Sequence, residues 1–558
     1  MGAPHSLLPN QPIHSSLLSA EEILSQMTLR EKIGQLFITF FWGDTLSEET
    51  KHFFQRTKLG NIIYFSWANG LETPKQIAKL SNEVHDTIIK ATKIPPLISA
   101  DQEGGVVQRL QNGFTRFPGN MALGATNNPR LAYETGKSIA YELTSVGINF
   151  NLAPIVDVQT VNLLPWYMGV RTFGTDASQV IQFAQAQIHG FEELGLLYVL
   201  KHAPGLGSVS VNPHLALPTC NKTLSELEKY EFMPFKHLLK APAIMTSHAV
   251  FSALDPENPA SLSYKVTTEL IRNTWGFKGI IITDSLSMNA VLEDISDFTK
   301  ASKSVQKATI QAIKAGADCL ILGRLEWTPF SPTHAQDLQV IEKAIEGLLE
   351  SVQNGDIPEE RINDSVLRII EMKKNLFQKQ FATSADFITP NERLATEIAD
   401  QSLTLLSPEE LFVHSNPKLS FSKICIIAPE GVKENLQEAL KEKEISTDIF
   451  FFDPNYLEKN DFFSLQEEIM KKITQSDISL FFSSQETSLL RNLAQKFPRE
   501  KLIFIGLLNP HTMIESKVYK THNTMLTYST SSHCFKAIFS ALKKRKIPVG
   551  KLPFPTPE

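Results

Sequence analysis

Residues 279–284 read GIIITD, three isoleucines in a row that run into a threonine and an aspartate. The apolar residues are continuous rather than alternating, which predicts a short strand that is buried on both faces of a sheet. Helix-like stretches such as SVQKATIQAIKAGA (304–317) separate most runs of this kind. The other runs in the first part of the chain are QLFITF (35–40), NIIYFS (61–66), LISAD (97–101), NFNLAPIVDV (149–158), YVLKHA (198–203), AIMTSHA (243–249) and CLILG (319–323).

Alternating strands and helices build a parallel sheet, and about eight such units in about 330 residues are typical of a (β/α)8 barrel. We therefore predict an α/β fold with an N-terminal (β/α)8 TIM barrel. Polar or ionisable residues stand at the carboxyl ends of several runs, and these ends form the face where barrel enzymes place their active sites. They are Asp101, Asp157, Lys201, His202, Ser247, His248 and Asp284.

A second domain is predicted after the barrel. The polar stretch FATSADFITPNE (381–392) follows a predicted amphipathic helix, and further apolar runs such as KICIIA (423–428) and KLIFIGLL (501–508) come after it. These runs predict a smaller, open α/β sandwich domain. The predicted limits are an N-terminal extension at 1–20, the barrel at 21–380, a linker at 381–400 and the sandwich domain at 401–558.

The composition excludes several classes of protein. The net charge of −6 argues against a nucleic-acid-binding protein. The four cysteines, Cys220, Cys319, Cys425 and Cys534, lie far apart without metal-finger spacing, which favours a reducing compartment. We find no signal-peptide pattern, no apolar run that would span a membrane and no nucleotide-binding motif. We expect a cytoplasmic protein without a cofactor, and the sequence does not indicate its oligomeric state.

Two carboxylates at strand ends are candidates for chemistry. Asp284 ends GIIITD, and a carboxylate there suits a nucleophile, a metal ligand or a helix N-cap. Asp101 ends LISAD and precedes Gly104 and Gly105, which form either a simple tight turn or a close approach of the backbone to a ligand.

The stretch KHAPGLGSVSVNPHLALP (201–218) contains further candidates. Lys201 and His202 end a strand together, so their side chains point in opposite directions unless the backbone breaks there. His214 follows a turn-initiating Asn-Pro pair. A lone loop histidine is commonly a surface residue, but an imidazole also exchanges protons near neutral pH.

Seven segments resemble the motifs of glycoside hydrolase family 3, in its bacterial β-N-acetylglucosaminidase branch and two-domain form. The first is KHAPGLGSVSVNPH, where the branch has Lys-His-Phe/Ile-Pro-Gly-His-Gly, four variable residues and Asp-Ser-His. The others are DQEGGVVQRL (101–110), FPGNMALGAT (117–126), VRTFGTD (170–176), ITDSLSM (282–288) and the terminal PVGKLPFP (548–555). SHAVFSALDPENPASLS (247–263) also fits, and the matches follow in order along the whole chain.

The resemblance implies a role for each matched residue. Asp284 aligns with the nucleophile that forms a glycosyl-enzyme intermediate, and His214 aligns with the general acid/base. Asn212 stands at the position of the aspartate that orients this histidine. The residues that match the family's GlcNAc-binding set are Asp101, Arg109, Arg171, Lys201 and His202. No metal or other cofactor is implied.

The chain departs from the family pattern beside His214. Asn212 and Pro213 replace Asp and Ser, Leu206 replaces the second motif histidine, and Ser285 replaces a second aspartate. In a serine protease triad the comparable Asp-to-Asn change lowers turnover by about 10⁴-fold. We expect Asn212 to accept a hydrogen bond from the imidazole without supplying charge, and Pro213 to stiffen the loop.

Three hypotheses follow from these residues. The leading one is a retaining exo-β-N-acetylglucosaminidase that hydrolyses terminal β-linked GlcNAc from peptidoglycan fragments (GlcNAc-anhydroMurNAc-peptides) in cell-wall recycling. Its partner would be a small saccharide or muropeptide substrate, not a nucleic acid or a membrane. The second is a catalytically impaired sugar-binding or regulatory homologue, suggested by Asn212. The third is a metal-dependent barrel hydrolase that uses His202, His214, His248, Asp101 and Asp284 as ligands.

Overall fold

The structure is a computed structural model that describes most of the chain. The described residues are 18–160, 166–326, 328–378, 388–408, 424–441, 447–453, 462–483, 487–508, 510–544 and 546–554. Most of the predicted N-terminal extension (1–20) and the first part of the predicted linker (381–400) lie outside the described residues.

The first part of the chain forms the predicted eight-stranded closed barrel, so the barrel prediction is confirmed. Neighbouring strands pair in parallel and follow one another around the barrel in chain order, with the last strand pairing with the first. The strands are β1 Phe37–Thr39, β2 Asn61–Ile63, β3 Leu97–Ala100, β4 Phe150–Asn151, β5 Leu197–Ala203, β6 Ala243–Thr246, β7 Ile280–Ser285 and β8 Cys319–Leu322.

The barrel strands are buried because both of their faces are covered. Ile280, Ile281 and Ile282 of β7 are fully buried, and β7 pairs with β6 in a register that places Ile282 beside Met245. Their side chains alternate between the barrel interior and the surrounding helices, and both environments are apolar. The unbroken apolar runs of the sequence therefore correspond to real two-sided burial.

Helices surround the barrel, and local sequence sets their ends. The helix His334–Gln353, for example, begins after Thr333, whose side chain accepts from the Gln336 N–H in a capping box. Its apolar residues recur at helical spacing and pack inward. The other main helices of this part are Leu29–Gln35, Glu48–Thr57, Pro74–Thr92, Asn120–Thr126, Pro129–Ser145, Ala177–Glu193, Leu224–Lys229, Phe232–His237, Lys265–Thr274 (of π type), Phe298–Ala315 and Glu359–Gln378.

A second, open sheet follows the barrel, as predicted. Its six strands are parallel except for the antiparallel pair at one edge. In spatial order they are Thr404–Leu405, Thr524–Leu526, Leu502–Gly506, Ile478–Ser483, Ile424–Pro429 and Thr447–Phe452. The helices of this part are Glu392–Ser402, Lys433–Leu440, Phe462–Gln475, Thr487–Lys496, Pro510–Ser516 and Ser532–Lys544.

The C-terminal segment returns from the second sheet to the barrel. The Lys551 N–H donates to the Ala125 carbonyl oxygen at 2.8 Å, and the Thr175 N–H donates to the Pro553 carbonyl oxygen at 3.1 Å. These bonds join PVGKLPFP to the FPGNMALGAT and VRTFGTD segments. The helix Glu392–Ser402 includes most of the described residues of the predicted linker, which are 388–400. In the described residues, no helix is both long and apolar enough to cross a membrane.

Candidate active site

One cavity of about 850 Å³ opens at the carboxyl ends of the barrel strands. Its volume lies in the upper part of the range of ligand pockets in proteins. The structure brings all eight predicted site residues to its walls, although they come from separate parts of the chain. They are Asp101, Arg109, Arg171, Lys201, His202, Asn212, His214 and Asp284.

Asp101 is held between two cations. Its Oδ1 accepts from Lys201 Nζ at 3.0 Å, and its Oδ2 accepts from Arg109 Nη2 at 3.1 Å. Burial favours the neutral carboxyl, but the charges of Lys201 and Arg109 outweigh burial and hold the pKa of Asp101 well below its usual range. The Asp101 carboxylate is therefore ionised and fixed in place before any ligand arrives.

Glu103 was not predicted as a site residue, yet it completes this charged cluster. Its side chain is 1% exposed and receives a bidentate pair of bonds from Arg171, at 2.8 and 2.9 Å. Lys201 Nζ lies 2.6 Å from the same carboxylate. Burial raises the pKa of Glu103, but the charges of Arg171 and Lys201 outweigh it and lower the pKa to about 2. Glu103 thus fixes two of the predicted sugar-binding residues.

The turn after Asp101 needs its glycines. Gly104 and Gly105 have φ angles of +87° and +63°, which side chains rarely adopt. A Cβ atom on Gly105 would also lie 3.1 Å from both the Gly119 Cα and the Pro118 carbonyl oxygen. The two glycines therefore allow the hairpin that follows Asp101 to pack closely against Pro118–Gly119.

Asp157, at the end of the fourth predicted strand run, organises the strand end that carries His202. Its carboxylate accepts from His202 Nδ1 at 2.7 Å, from the His202 N–H at 3.1 Å and from the Leu206 N–H at 2.6 Å. Asp157 is fully buried, so these bonds fix the tautomer and the direction of the imidazole. The Lys201–His202 peptide bond is cis, and both side chains line the same cavity rather than opposite faces.

Asp284 lies at the end of β7, partly exposed to the cavity. Its Oδ1 accepts from the Ser285 N–H at 2.7 Å. Burial favours the neutral acid, but nearby imidazoles, of which His248 contributes most, outweigh it and hold the pKa of Asp284 below its usual value. His248 is itself fixed, because its Nδ1 contacts Ser261 Oγ at 2.7 Å and its Nε2 contacts the Ser285 carbonyl oxygen at 2.8 Å.

The Asn212–His214 pair differs from the expected arrangement. Asn212 Oδ1 accepts from the backbone N–H of His214 at 2.9 Å, and not from its imidazole. Asparagine side chains readily form a turn of this kind, in which they accept from the backbone N–H two residues further along the chain. Within the described residues, the His214 ring has no hydrogen-bond partner, and His214 is exposed at the cavity wall.

The described residues contain no group of three or more His, Cys, Asp or Glu side chains that could hold a metal ion. Of the residues in the metal hypothesis, His248 has both ring nitrogens bonded to protein atoms. Asp101 is already occupied by two cationic side chains. His248 and Asp101 therefore already bond to protein groups with the atoms that a metal ion would need.

Comparison with known proteins agrees with the resemblance seen in the sequence. The model of a family described as the glycosyl hydrolase family 3 N-terminal domain matches residues 28–372. Beta-hexosaminidase A of Pseudoalteromonas piscicida is 30% identical over 383 residues, which cover 64% of this chain and 61% of that protein. The chain therefore matches less than two thirds of that relative. Beta-hexosaminidase of Tolumonas auensis is 35% identical over 251 residues, covering 44% of this chain and 72% of that protein.

Among solved structures, a glycoside hydrolase family 3 beta-N-acetylglucosaminidase from Paenibacillus sp. str. FPU-7 is similar over nearly the whole chain. The TM-score is 0.83 at 29% sequence identity, and the match covers 95% of this chain and 99% of that one. The similarity includes the second sheet as well as the barrel, because the barrel alone would not reach this coverage.

Proposed function

The chain belongs to glycosyl hydrolase family 3, and we propose that it is an exo-acting β-N-acetylglucosaminidase. The proposed reaction removes a terminal, non-reducing, β-linked GlcNAc residue with net retention at the anomeric carbon. One observation carries the proposal: all eight residues that the family resemblance assigns to sugar binding or catalysis line a single cavity.

The charged cluster would bind the GlcNAc ring. The Asp101 carboxylate accepts hydrogen bonds from sugar hydroxyls, while the cations around it donate to hydroxyl and carbonyl oxygens. Because Lys201, Arg109 and Arg171 are already ion-paired with carboxylates, their positions are set before the sugar binds. Interactions fixed in this way contribute to rate when they match the distorted sugar of the transition state.

Asp284 would act as the nucleophile. Its lowered pKa keeps the carboxylate ionised at neutral pH. A carboxylate oxygen attacks the anomeric carbon while the bond from that carbon to the leaving oxygen breaks. His214 gives its proton to the leaving oxygen, and the products of this step are a glycosyl ester of Asp284 and the free alcohol.

The second step would reverse these roles. Neutral His214 takes a proton from water, and the water oxygen attacks the anomeric carbon from the face that the leaving group occupied. The ester bond breaks, and the electron pair returns to the Asp284 carboxylate. Two inversions at the same carbon give β-GlcNAc as the product, so the stereochemistry of the released sugar reports the mechanism.

Asn212 would limit this proton transfer. Its oxygen already accepts the His214 N–H, and its second terminal atom is an NH₂ donor that cannot accept from the ring. A carboxylate at position 212 has two accepting oxygens, so one can keep the backbone bond while the other stabilises the imidazolium. Asn212→Asp is therefore expected to raise kcat.

We propose GlcNAc-anhydroMurNAc-peptides, which are released from peptidoglycan and recycled in the cytoplasm, as the substrate. Bacterial relatives named beta-hexosaminidase support a terminal hexosamine as the group that is removed. The cavity volume of about 850 Å³ leaves room for more than one sugar ring. Release of GlcNAc from purified muropeptides, followed by mass spectrometry, would test this assignment directly.

The first test is release of 4-nitrophenol from its β-GlcNAc glycoside by the purified protein and four variants. Asp284→Ala is expected to abolish turnover, His214→Ala to lower kcat by about 10²–10⁴-fold, and Asn212→Asp to raise it. His189→Ala is the matched control for His214→Ala, because His189 is an exposed histidine on the helix Ala177–Glu193, outside the cavity. This control should keep full activity.

Added azide separates the two roles. With Asp284→Ala, azide should attack from the vacated face and give the α-glycosyl azide, whereas with His214→Ala it should give the β-glycosyl azide. NMR of the wild-type reaction should show β-GlcNAc as the first product. Release of α-GlcNAc would contradict retention. An inactive wild type that still binds GlcNAc would replace the proposal with the impaired sugar-binding homologue, and loss of turnover on chelation would favour the metal hydrolase.

A further inference from the structure

One sector of the cavity wall is not used by the residues discussed so far. It is formed by the ends of β2 and β8, which contribute Phe65, Trp67 and Arg324 to the lining. Strands β8, β1 and β2 are neighbours in the closed barrel. The sugar-binding residues instead follow β3 and β4 or end β5. The cavity therefore has a charged sector and an aromatic sector, which meet where the Arg109 guanidinium lies over Phe65, with Cζ 5.5 Å from the ring centroid.

The aromatic sector is a preformed cluster of four rings, which we call the aromatic shelf (Phe40, Trp42, Phe65 and Trp67). Trp67 stacks on Phe65 with ring centroids 4.9 Å apart and an angle of 16° between the rings. It also meets Phe40 at 5.1 Å and Trp42 at 5.3 Å. These neighbours fix the indole before any ligand binds.

Trp67 nevertheless remains 39% exposed, whereas Phe40 beneath it is 1% exposed. Phe65 stacks on the indole, and Trp67 is among the residues that line the cavity. An aromatic ring that is held rigidly with a free surface in a binding cavity is suited to stack against a flat apolar group.

A cationic side chain, Arg324, lies against one end of the aromatic shelf. The Arg324 guanidinium lies over Trp42, with Cζ 5.3 Å from the ring centroid. Its Nη2 donates to the Pro332 carbonyl oxygen at 3.0 Å, and its Nε lies 3.7 Å from Asp337 Oδ2. Arg324 is thus fixed beside the aromatic surface, where it can donate to substituents of a ring that lies on that surface.

We propose that Trp67 is the platform for the leaving group, and that this leaving group is a second hexopyranose ring whose apolar face stacks on the indole. This proposal rests on the proposed glycosidase function, which already implies a sugar as leaving group, and adds the residue on which that ring would stack. The charged sector would hold GlcNAc, and the aromatic shelf would hold the next ring. Asp284 on β7 lines the same cavity, where it would attack the anomeric carbon of the GlcNAc.

The test compares two substrates with the same GlcNAc unit. The β-1,4-linked GlcNAc disaccharide has a flat leaving group, whereas trifluoroethyl β-N-acetylglucosaminide has a small one that cannot stack. Released GlcNAc is measured for both. Trp67→Ala is expected to lower kcat/KM for the disaccharide by about tenfold, a size typical of one aromatic contact. It should change kcat/KM for the trifluoroethyl glycoside by less than about twofold.

Two further variants separate stacking from structural damage. Trp67→Phe keeps a flat ring on Phe65 and should recover most of the disaccharide activity. Tyr141→Ala removes a comparably exposed aromatic side chain, 45% exposed on the helix Pro129–Ser145 outside the cavity, and should affect neither substrate. If Trp67→Ala lowers activity equally on both substrates, or does not lower it on the disaccharide, the role of Trp67 is overturned. The proposed glycosidase function is unaffected by either result. A wild type that hydrolyses neither glycoside would overturn the proposed glycosidase function and this proposal with it.

Discussion

Removing the charge of Glu103 tests whether buried ion pairs hold the charged cluster together (Asp101, Glu103, Arg109, Arg171 and Lys201). Glu103→Gln keeps the shape of the side chain but leaves Arg171 without its bidentate carboxylate and Lys201 with only Asp101. The amide can accept through one oxygen, while its NH₂ group would face N–H donors of Arg171. Breaking a buried ion pair by removing one partner costs about 3–5 kcal/mol. Since Gln retains one acceptor, we expect about 3 kcal/mol.

A second bidentate pair in the same chain provides the matched control. Glu342 receives two bonds from Arg56, at 2.6 and 3.0 Å, but these side chains are 31% and 47% exposed. Solvent screens the exposed pair, so Glu342→Gln should cost less than about 1 kcal/mol. The two substitutions are chemically identical, but the Glu103 carboxylate is buried and also contacts Lys201, whereas the Glu342 pair with Arg56 is partly exposed. A difference below about 1 kcal/mol between their unfolding free energies would refute the argument that burial makes the Glu103 pairs important.

Urea unfolding followed by tryptophan fluorescence is the appropriate assay. All five tryptophans lie between residues 42 and 327, so the signal reports the barrel rather than the second sheet. The pH dependence provides an independent check. The pKa of Glu103 falls from 4.5 to about 2 on folding. Its contribution to stability is therefore present above about pH 4.5 and disappears as the pH falls through about 2. The difference between wild type and Glu103→Gln should shrink over that same interval.

Two other substitutions test neighbouring parts of the structure. Asp157→Asn should lower kcat/KM for the 4-nitrophenyl glycoside by at least about tenfold, because the one oxygen that remains cannot accept both from the backbone N–H groups and from His202 Nδ1, and an NH₂ group then faces one of these donors; unchanged kinetics would show that this orientation is unimportant. Glu142 is buried against Thr115, and burial raises the pKa of Glu142 to about 7. Its contribution to stability is thus present below about pH 4.5 and lost as the pH rises through about 7, so Glu142→Gln should flatten the unfolding free energy between pH 5 and 8. An identical slope in the variant would contradict the assignment to Glu142.

Much of the fold was predictable because two-sided burial leaves a clear pattern in the sequence. Runs such as GIIITD are continuous because both faces of a barrel strand are apolar, and their polar ends mark one rim. The positions of Asp101 and Asp284 at that rim followed from the strand ends alone. The second sheet was predictable for the same reason, since its central strands are also covered on both faces.

Side-chain pairing was less predictable. The segment DQEGG drew attention to Asp101, but Glu103 becomes important only where Arg171, far along the chain, meets it in the folded barrel. Asn212 was expected to accept from the His214 ring, but its side-chain oxygen accepts from the His214 backbone N–H in a local turn instead. Trp67 carried no signal in the sequence, because a single tryptophan in the four-residue helix Ser66–Asn69 matches no periodic pattern. Each of these features depends on a long-range contact or on two donors that compete for one acceptor, and the spacing of residues in the sequence does not reveal either.

Under the proposed function, sugar binding and proton transfer depend on different parts of the site. Asp101 and Lys201 are locked by ion pairs, so the ordering of the sugar-binding sector occurs on folding and not on substrate binding. His214 is exposed and its ring lacks a partner in the described residues, so its alignment has to be achieved with the substrate in place. Changes in the charged cluster should therefore act on kcat/KM through transition-state binding, whereas changes around His214 should act mainly on kcat. Under this division, a sequence that replaces Asp by Asn at position 212 retains sugar recognition while its rate of proton transfer falls.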